Sequence, residues 1–170
     1  IEPRTLHFKQ PAGTSRGVYN IRQSWFITIT SPEQPDRKGV GECAPLPDLS
    51  CDAIPEYERI LYSVCNMFGL TGKINHDMLR PYPSILFGLE TALLSFESGS
   101  DVLFDTPFAR GEEGIPINGL VWMGSYDEML SRLENKMKTG FRCVKLKIGA
   151  IDFDKELDLI RHIRSAFTKE

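Results

Sequence analysis

Phe141-Arg142-Cys143-Val144-Lys145-Leu146-Lys147-Ile148-Gly149 is a short stretch with an alternating middle. Val144, Leu146 and Ile148 fall on one face of a strand, and Lys145 and Lys147 on the other. A helical pattern precedes the stretch and another follows it. A strand between two helices predicts a parallel sheet, whose strands are buried on both faces and usually read as continuous apolar runs. Here one face carries two ammonium groups. If that face points into a protein interior, the lysines are there for chemistry.

Working outward, residues 115–122 predict a strand. Ser125-Tyr126-Asp127-Glu128 is a capping box that opens a helix with Met129, Leu130, Leu133 and Met137 inward and Gly140 at its end. After the lysine strand, Asp152 can cap a last helix whose apolar residues are Phe153, Leu157, Ile160, Ile163 and Phe167. The order strand, helix, strand, helix is a right-handed parallel unit by default.

The first part of the chain is organised differently. Residues 5–10, 23–30 and 39–44 predict three strands of an antiparallel meander, rich in β-branched and aromatic residues at Trp25-Phe26-Ile27-Thr28-Ile29-Thr30. Residues 11–17 are turn-rich, and residues 31–38 form the second connection. A stiff loop follows, carrying Pro45, Leu46, Pro47, Asp48, Leu49 and Ser50. Ile54, Tyr57, Ile60, Leu61, Val64 and Phe68 then recur at helical steps, with Gly69 as the stop. A short helix over 76–79 precedes a longer one from Ser84, with a stripe of Ile85, Leu86, Leu89, Ala92, Leu93 and Phe96 closed by Gly99. Strands followed by helices predict an α+β domain over residues 1–114. Its end, residues 105–114, reads as a charged, glycine-containing linker. Residues 115–170 are the start of a second domain. Two βα repeats cannot cover both faces of their own sheet, and a closed (β/α)8 barrel needs about 200 residues or more. The chain therefore reads as a fragment or as half of an assembly.

Composition narrows the function classes. The chain has 170 residues and a formal net charge of −3, which makes no electrostatic case for nucleic acid. Its apolar runs are too interrupted to span a membrane. Cys43, Cys51, Cys65 and Cys143 form no C-x-x-C pair and read as buried free thiols of a reducing cytoplasm. His7, His76 and His162 have no metal-ligand spacing, which argues against a zinc site.

Lysine serves as a general base or acid where burial and a cationic neighbour favour the neutral amine. Lys145 and Lys147 have the required spacing, and Lys147 stands just before the break at Gly149, the end of a barrel strand that faces the active-site mouth. The competing reading is a half-exposed strand with a solvated lysine face. Asn118 and Trp122 share one face of the preceding strand and can line a pocket or simply pack. Arg16 and Arg22 flank Gly17 and can meet an anionic substrate. Glu42 reads as structural, and Asp101, Asp105, Glu112 and Glu113 as solvated linker charges. No phosphate-binding glycine loop or nucleophile elbow is present.

Four segments, in order, resemble the muconate-lactonizing subgroup of the enolase superfamily. Gly39-Val40-Gly41-Glu42-Cys43-Ala44-Pro45-Leu46-Pro47 resembles the third strand of its capping domain. The segment from Pro83 to Leu94 resembles a capping-domain helix. Ile117-Asn118-Gly119 resembles the first barrel strand, and Val144 to Gly149 the K-x-K second strand. Within the subgroup, the Pro47-Asp48-Leu49-Ser50 loop and the Ile-Asn-Gly strand look most like the o-succinylbenzoate synthases, dehydratases of menaquinone synthesis.

The resemblance implies a capping domain followed by the first two βα units of a (β/α)8-type barrel. It implies a small carboxylate substrate and a Mg2+ ion that stabilises an enediolate. Lys147 would move the α-proton and assist loss of water, with Lys145 in support. The loops at 11–17 and 46–50 would close over the substrate, with Arg16, Leu46, Ser50 and Asn118 as candidate contacts. The family's metal ligands belong to later barrel strands, so these 170 residues alone are expected to bind no metal and to turn nothing over. Open strand edges would favour association with a second copy. The same lysine pattern also fits a dipeptide epimerase or muconate cycloisomerase, and the residues by themselves leave open a non-catalytic α+β interaction module.

Overall fold

The computed structural model describes residues 1–14, 17–149 and 151–166, so Arg16 and Phe167 lie outside the described residues. Two compact units are present: Ile1–Lys9 with Ile21–Glu113, and Gln10–Asn20 with Gly114–Glu170. The outer part of the first hairpin thus groups with the later residues.

The meander consists of β1 (Glu2–Thr14), β2 (Gly17–Ser31) and β3 (Gln34–Cys43), side by side in that order. β2 and β3 pair antiparallel with Trp25 opposite Cys43 and Thr28 opposite Val40. All three strands run beyond the segments with strong β propensity. Residues 11–14, which read as loop, are strand, because a paired neighbour overrides local composition. Three helices follow: α1 (Tyr57–Thr71), α2 (His76–Leu79) and α3 (Pro83–Ser98). Gly72, not Gly69, ends α1, taking the left-handed φ of 64° that its cap requires and donating its N–H to the Phe68 carbonyl.

The core of this unit joins one sheet face to the helices: Trp25, Ile27 and Cys43 against Tyr57, Leu61, Val64, Ile85, Leu89 and Ala92. What brings α3 so close is a glycine seam. A Cβ on Gly41 would overlap the Gly88 carbonyl, and one on Gly39 would overlap the Ala92 carbonyl and Phe96 N. The Gly-x-Gly of β3 is therefore a packing device. Burial pushes the Cys43 thiol up to about 12, so it packs as a neutral apolar group. Cys51 and Cys143 are exposed free thiols, which corrects the expectation that the cysteines are buried; each sits on an open loop.

The loop after β3 is fastened by a residue that sequence reasoning passed over. Asp52 is 1% exposed, and its Oδ2 accepts from the Ser84 N–H at 2.8 Å and the Ser84 hydroxyl at 2.6 Å. The carboxylate thereby satisfies a free N–H in the first turn of α3 and meets the positive end of its dipole. Tyr57 OH adds a 2.7 Å bond to the Ser84 hydroxyl. The charged stretch near 105–112 is exposed but internally tied, with the Arg110 guanidinium pairing with both Asp105 and Glu112.

In the second unit β4 (Gly119–Val121) and β5 (Val144–Leu146) pair in parallel; β4 is shorter than the strand expected over 115–122, since residues 115–118 lie exposed outside the ladder. α4 (Tyr126–Lys138) carries the predicted capping box, with both bonds made, and α5 (Phe153–Ala166) starts at Asp152, whose Oδ1 accepts the Asp154 N–H at 3.0 Å. Val121, Met129, Leu133 and Leu159 form the core, with Val144, Leu146 and Ile163 packed on it. The inward face of α5 differs from the one expected. Glu156 and Leu159 are buried, whereas Phe153 and Ile160 are exposed, as is Ile148 at the end of β5. The helix is turned so that the Glu156 carboxylate can reach the backbone at Gly149, and the Glu156–Leu159–Ile163 spacing then faces inward. Among the described residues, no helix is long and apolar enough to cross a membrane.

The glycine seam predicts that Gly41→Ala lowers unfolding free energy by about 1–3 kcal/mol, the usual cost of overpacking. Chemical denaturation should show a lower midpoint with an unchanged slope. An unaltered midpoint would mean that α3 does not lie against β3.

Candidate active site

The site is built from the register of two short strands. Gly119 pairs with Val144, Leu120 with Lys145 and Val121 with Leu146. Two backbone bonds close the ladder: Gly119 N–H to Cys143 C=O at 2.9 Å, and Lys147 N–H to Val121 C=O at 3.1 Å. Val121, Val144 and Leu146 face the helices. The alternation of a strand puts Leu120 and Lys145 on the opposite face, followed by Trp122 and Lys147 just past the strand ends.

There the two residues meet. Lys147 is half-buried, and its Nζ lies 4.0 Å from the centroid of the Trp122 ring. Trp122 Nε1 donates to the Gly13 carbonyl at 2.7 Å. Lys145 is exposed one register step earlier. Asn118 is exposed, and its Nδ2 donates at 3.4 Å to the carbonyl of its neighbour Gly119.

The two strand ends are held by charged side chains. Arg132 Nη1 donates to the carbonyls of Trp122 at 3.2 Å and Met123 at 3.1 Å. Arg132 also lies 3.6 Å from Glu128, the acid of the capping box. The Ser125 backbone N–H holds the Glu128 carboxyl below its ordinary value, with help from the Ser125 hydroxyl and the Arg132 charge. At the end of β5, the buried Glu156 carboxylate accepts the Gly149 N–H at 2.5 Å, and Gly149 has the positive φ of 100° that this turn needs. Sequence reasoning missed Arg132 and Glu156. Glu156 had a local signal, lying one helical turn beyond the Asp152 cap on the face that looks back to the strand.

Leu46 and Ser50 belong to the first unit. Their loop closes on itself: the Leu46 N–H donates to the Ser50 hydroxyl at 2.8 Å, and the Ser50 N–H to the Leu46 carbonyl at 2.9 Å. Leu46 is half-buried while Leu49 is exposed. Arg22 also serves structure, donating to the Ala44 carbonyl. Among the described residues, no three His, Cys, Asp or Glu side chains converge as a metal-binding group. The described residues therefore supply no ligand set for a resident Mg2+.

No family model matches the chain. An o-succinylbenzoate synthase of Desulfotalea psychrophila is 33% identical over 97% of this chain and 53% of its own length. A crystal structure of MenC from the same organism superposes with a TM-score of 0.64 at 26% identity, covering 98% of this chain and 53% of that one. The chain resembles the enolase superfamily in sequence and in fold. An o-succinylbenzoate synthase from Thermosynechococcus elongatus, solved with Mg in its active site, gives a TM-score of 0.65 at 21% identity over 97% of this chain and 47% of that one. Solved dipeptide epimerases share the same fold. The chain spans about half the length of the curated relative it matches. Its three-stranded sheet with helices corresponds in fold to the capping domain of these structures, and its parallel unit to part of their barrel.

The capping box predicts a pH-dependent contribution to stability. Because the folded Glu128 carboxyl lies below its ordinary value, its contribution is complete above the unfolded value of about 4.3 and is lost as pH falls through the folded one. Glu128→Gln should therefore melt lower than the parent at pH 7, and the gap should close in acid. A gap that persists at pH 2 would contradict the assignment.

Proposed function

We propose that the chain is the capping domain and first barrel strands of an o-succinylbenzoate synthase-like dehydratase, with Lys147 as its proton-transfer group. The observation that carries this reading is Lys147 at the C-terminal end of a parallel strand, half-buried on the face opposite the helices and seated on Trp122. The 33% identity to a synthase supports it, as does the K-x-K segment's place on a parallel strand.

The substrate class is a small cyclohexadiene carboxylate. The Lys147 amine takes the proton α to the carboxylate, the C–O bond to the β-hydroxyl breaks, a C=C bond forms, and the lysine returns the proton to the departing hydroxide as water. One group on one face thus serves as base and then acid, which makes the elimination syn. Lys145 adds positive charge near the substrate carboxylate. Arg16, Leu46, Ser50 and Asn118 are proposed as substrate contacts. None of the described residues is proposed as a ligand of the reaction's Mg2+.

The epimerase reading has support in the shared fold and would use the same lysine. The interaction-module reading requires a solvated, functionally idle Lys147.

The test is turnover of the cyclohexadiene carboxylate, with Mg2+ present, by the protein assembled to the length of its relatives. Lys147→Ala should lower kcat at least about 10²-fold, the lower range for a lost general acid–base group. Epimerised Ala-Glu dipeptide without dehydration would favour the epimerase. Unchanged turnover in Lys147→Ala would eliminate the catalytic assignment.

A further inference from the structure

We infer that Trp122 is the positioning residue of Lys147, and that it ties the lysine to the hairpin tip through the Gly13 carbonyl. The inference rests on the proposed role of Lys147 and adds a residue to it.

Three contacts converge on this tryptophan, each through a different part of it. Its ring face lies 4.0 Å beneath the Lys147 ammonium, inside the range in which a cation is attracted by the ring's negative face. Its indole N–H is spent on the Gly13 carbonyl at 2.7 Å. Its own carbonyl accepts from Arg132, which α4 supplies. The ring is therefore fixed in plane by a hydrogen bond at one edge and by its backbone at the other.

A lysine on a four-carbon stem is otherwise poorly specified, since it has many rotamers and a point charge without direction. A fixed aromatic face removes that freedom, and it favours the ammonium that forms when Lys147 takes the α-proton. Leucine or methionine at this position would fill space but seat no charge. The N–H also selects tryptophan over phenylalanine, because only the indole can seat the amine and hold Gly13 together. The parallel register makes the meeting unavoidable: Leu120 opposite Lys145 places the residues two further on, Trp122 and Lys147, on one face.

The chain has two tryptophans, Trp25 and Trp122, so its indole N–H spectrum has two signals, and Trp122→Phe assigns them. In the full chain, Lys147→Met should shift the Trp122 signal, and Lys145→Met should leave it in place. An unmoved signal in Lys147→Met, or equal shifts in both variants, would overturn the inference. Kinetics supply the second readout. Trp122→Leu, which removes face and N–H together, should lower kcat about tenfold with KM within about threefold, in keeping with a partly buried cation–ring contact. Trp122→Phe, which keeps a face, should recover most of that loss. Equal kcat in the Leu and Phe variants would also overturn it. If Lys147→Ala itself leaves turnover unaltered, the proposed base is wrong, and the indole spectrum still decides whether the ring seats the amine.

Discussion

The second unit depends on one constraint, the parallel register of β4 and β5. Side-chain direction in a strand alternates with a period of two, so a slip of one residue would send Lys147 toward the helices and Leu146 away from them. The apolar cluster of Val121, Val144, Leu146 and Leu159 prevents that slip. The core therefore sets which side the lysine occupies. The ends of the ladder are then closed by side chains from the helices, Arg132 on the Trp122 and Met123 carbonyls and Glu156 on the Gly149 N–H. Each satisfies backbone groups that a strand leaves open where its partner stops.

The first unit rests on a different device. Gly39, Gly41 and Gly88 allow α3 to lie on the backbone of β3, so the helix is placed by the absence of side chains. Asp52 then locks the start of α3 to the loop that carries Leu46 and Ser50. In this carboxyl group of 1% exposure, Oδ2 accepts from both a helix N-terminal N–H and a hydroxyl. A loop proposed to contact substrate is thus anchored by a charge-assisted bond a few residues beyond it.

Much of this was legible in the amino-acid sequence, for identifiable reasons. The alternation of Val144-Lys145-Leu146-Lys147 reports its own face, because period two is local. The capping box at Ser125 is likewise complete within four residues and appears as read. What failed needed distant partners. The meander strands outrun their propensities because a neighbouring strand extends them, whereas β4 falls short of the expected 115–122 because β5 pairs with only its last part. Gly69 and Gly72 are equivalent by composition, and only the left-handed cap at Gly72 separates them. The face of α5 was misjudged because apolar content pointed to Phe153 and Ile160, whereas Glu156 is drawn inward by a backbone N–H seven residues earlier. Trp122 could be placed on the correct face, but its bond to Gly13, far back along the chain, has no sequence signature.

The central claim is that these residues form a parallel pair which presents Lys147 at the strand end. Backbone amide exchange tests it most directly. Gly119 N–H and Lys147 N–H each donate across the ladder, whereas residues 115–118 are exposed outside it. The account predicts clear protection at Gly119 and Lys147 and fast exchange at residues 115, 117 and 118. Exchange at Lys147 as fast as at residue 117 would contradict it.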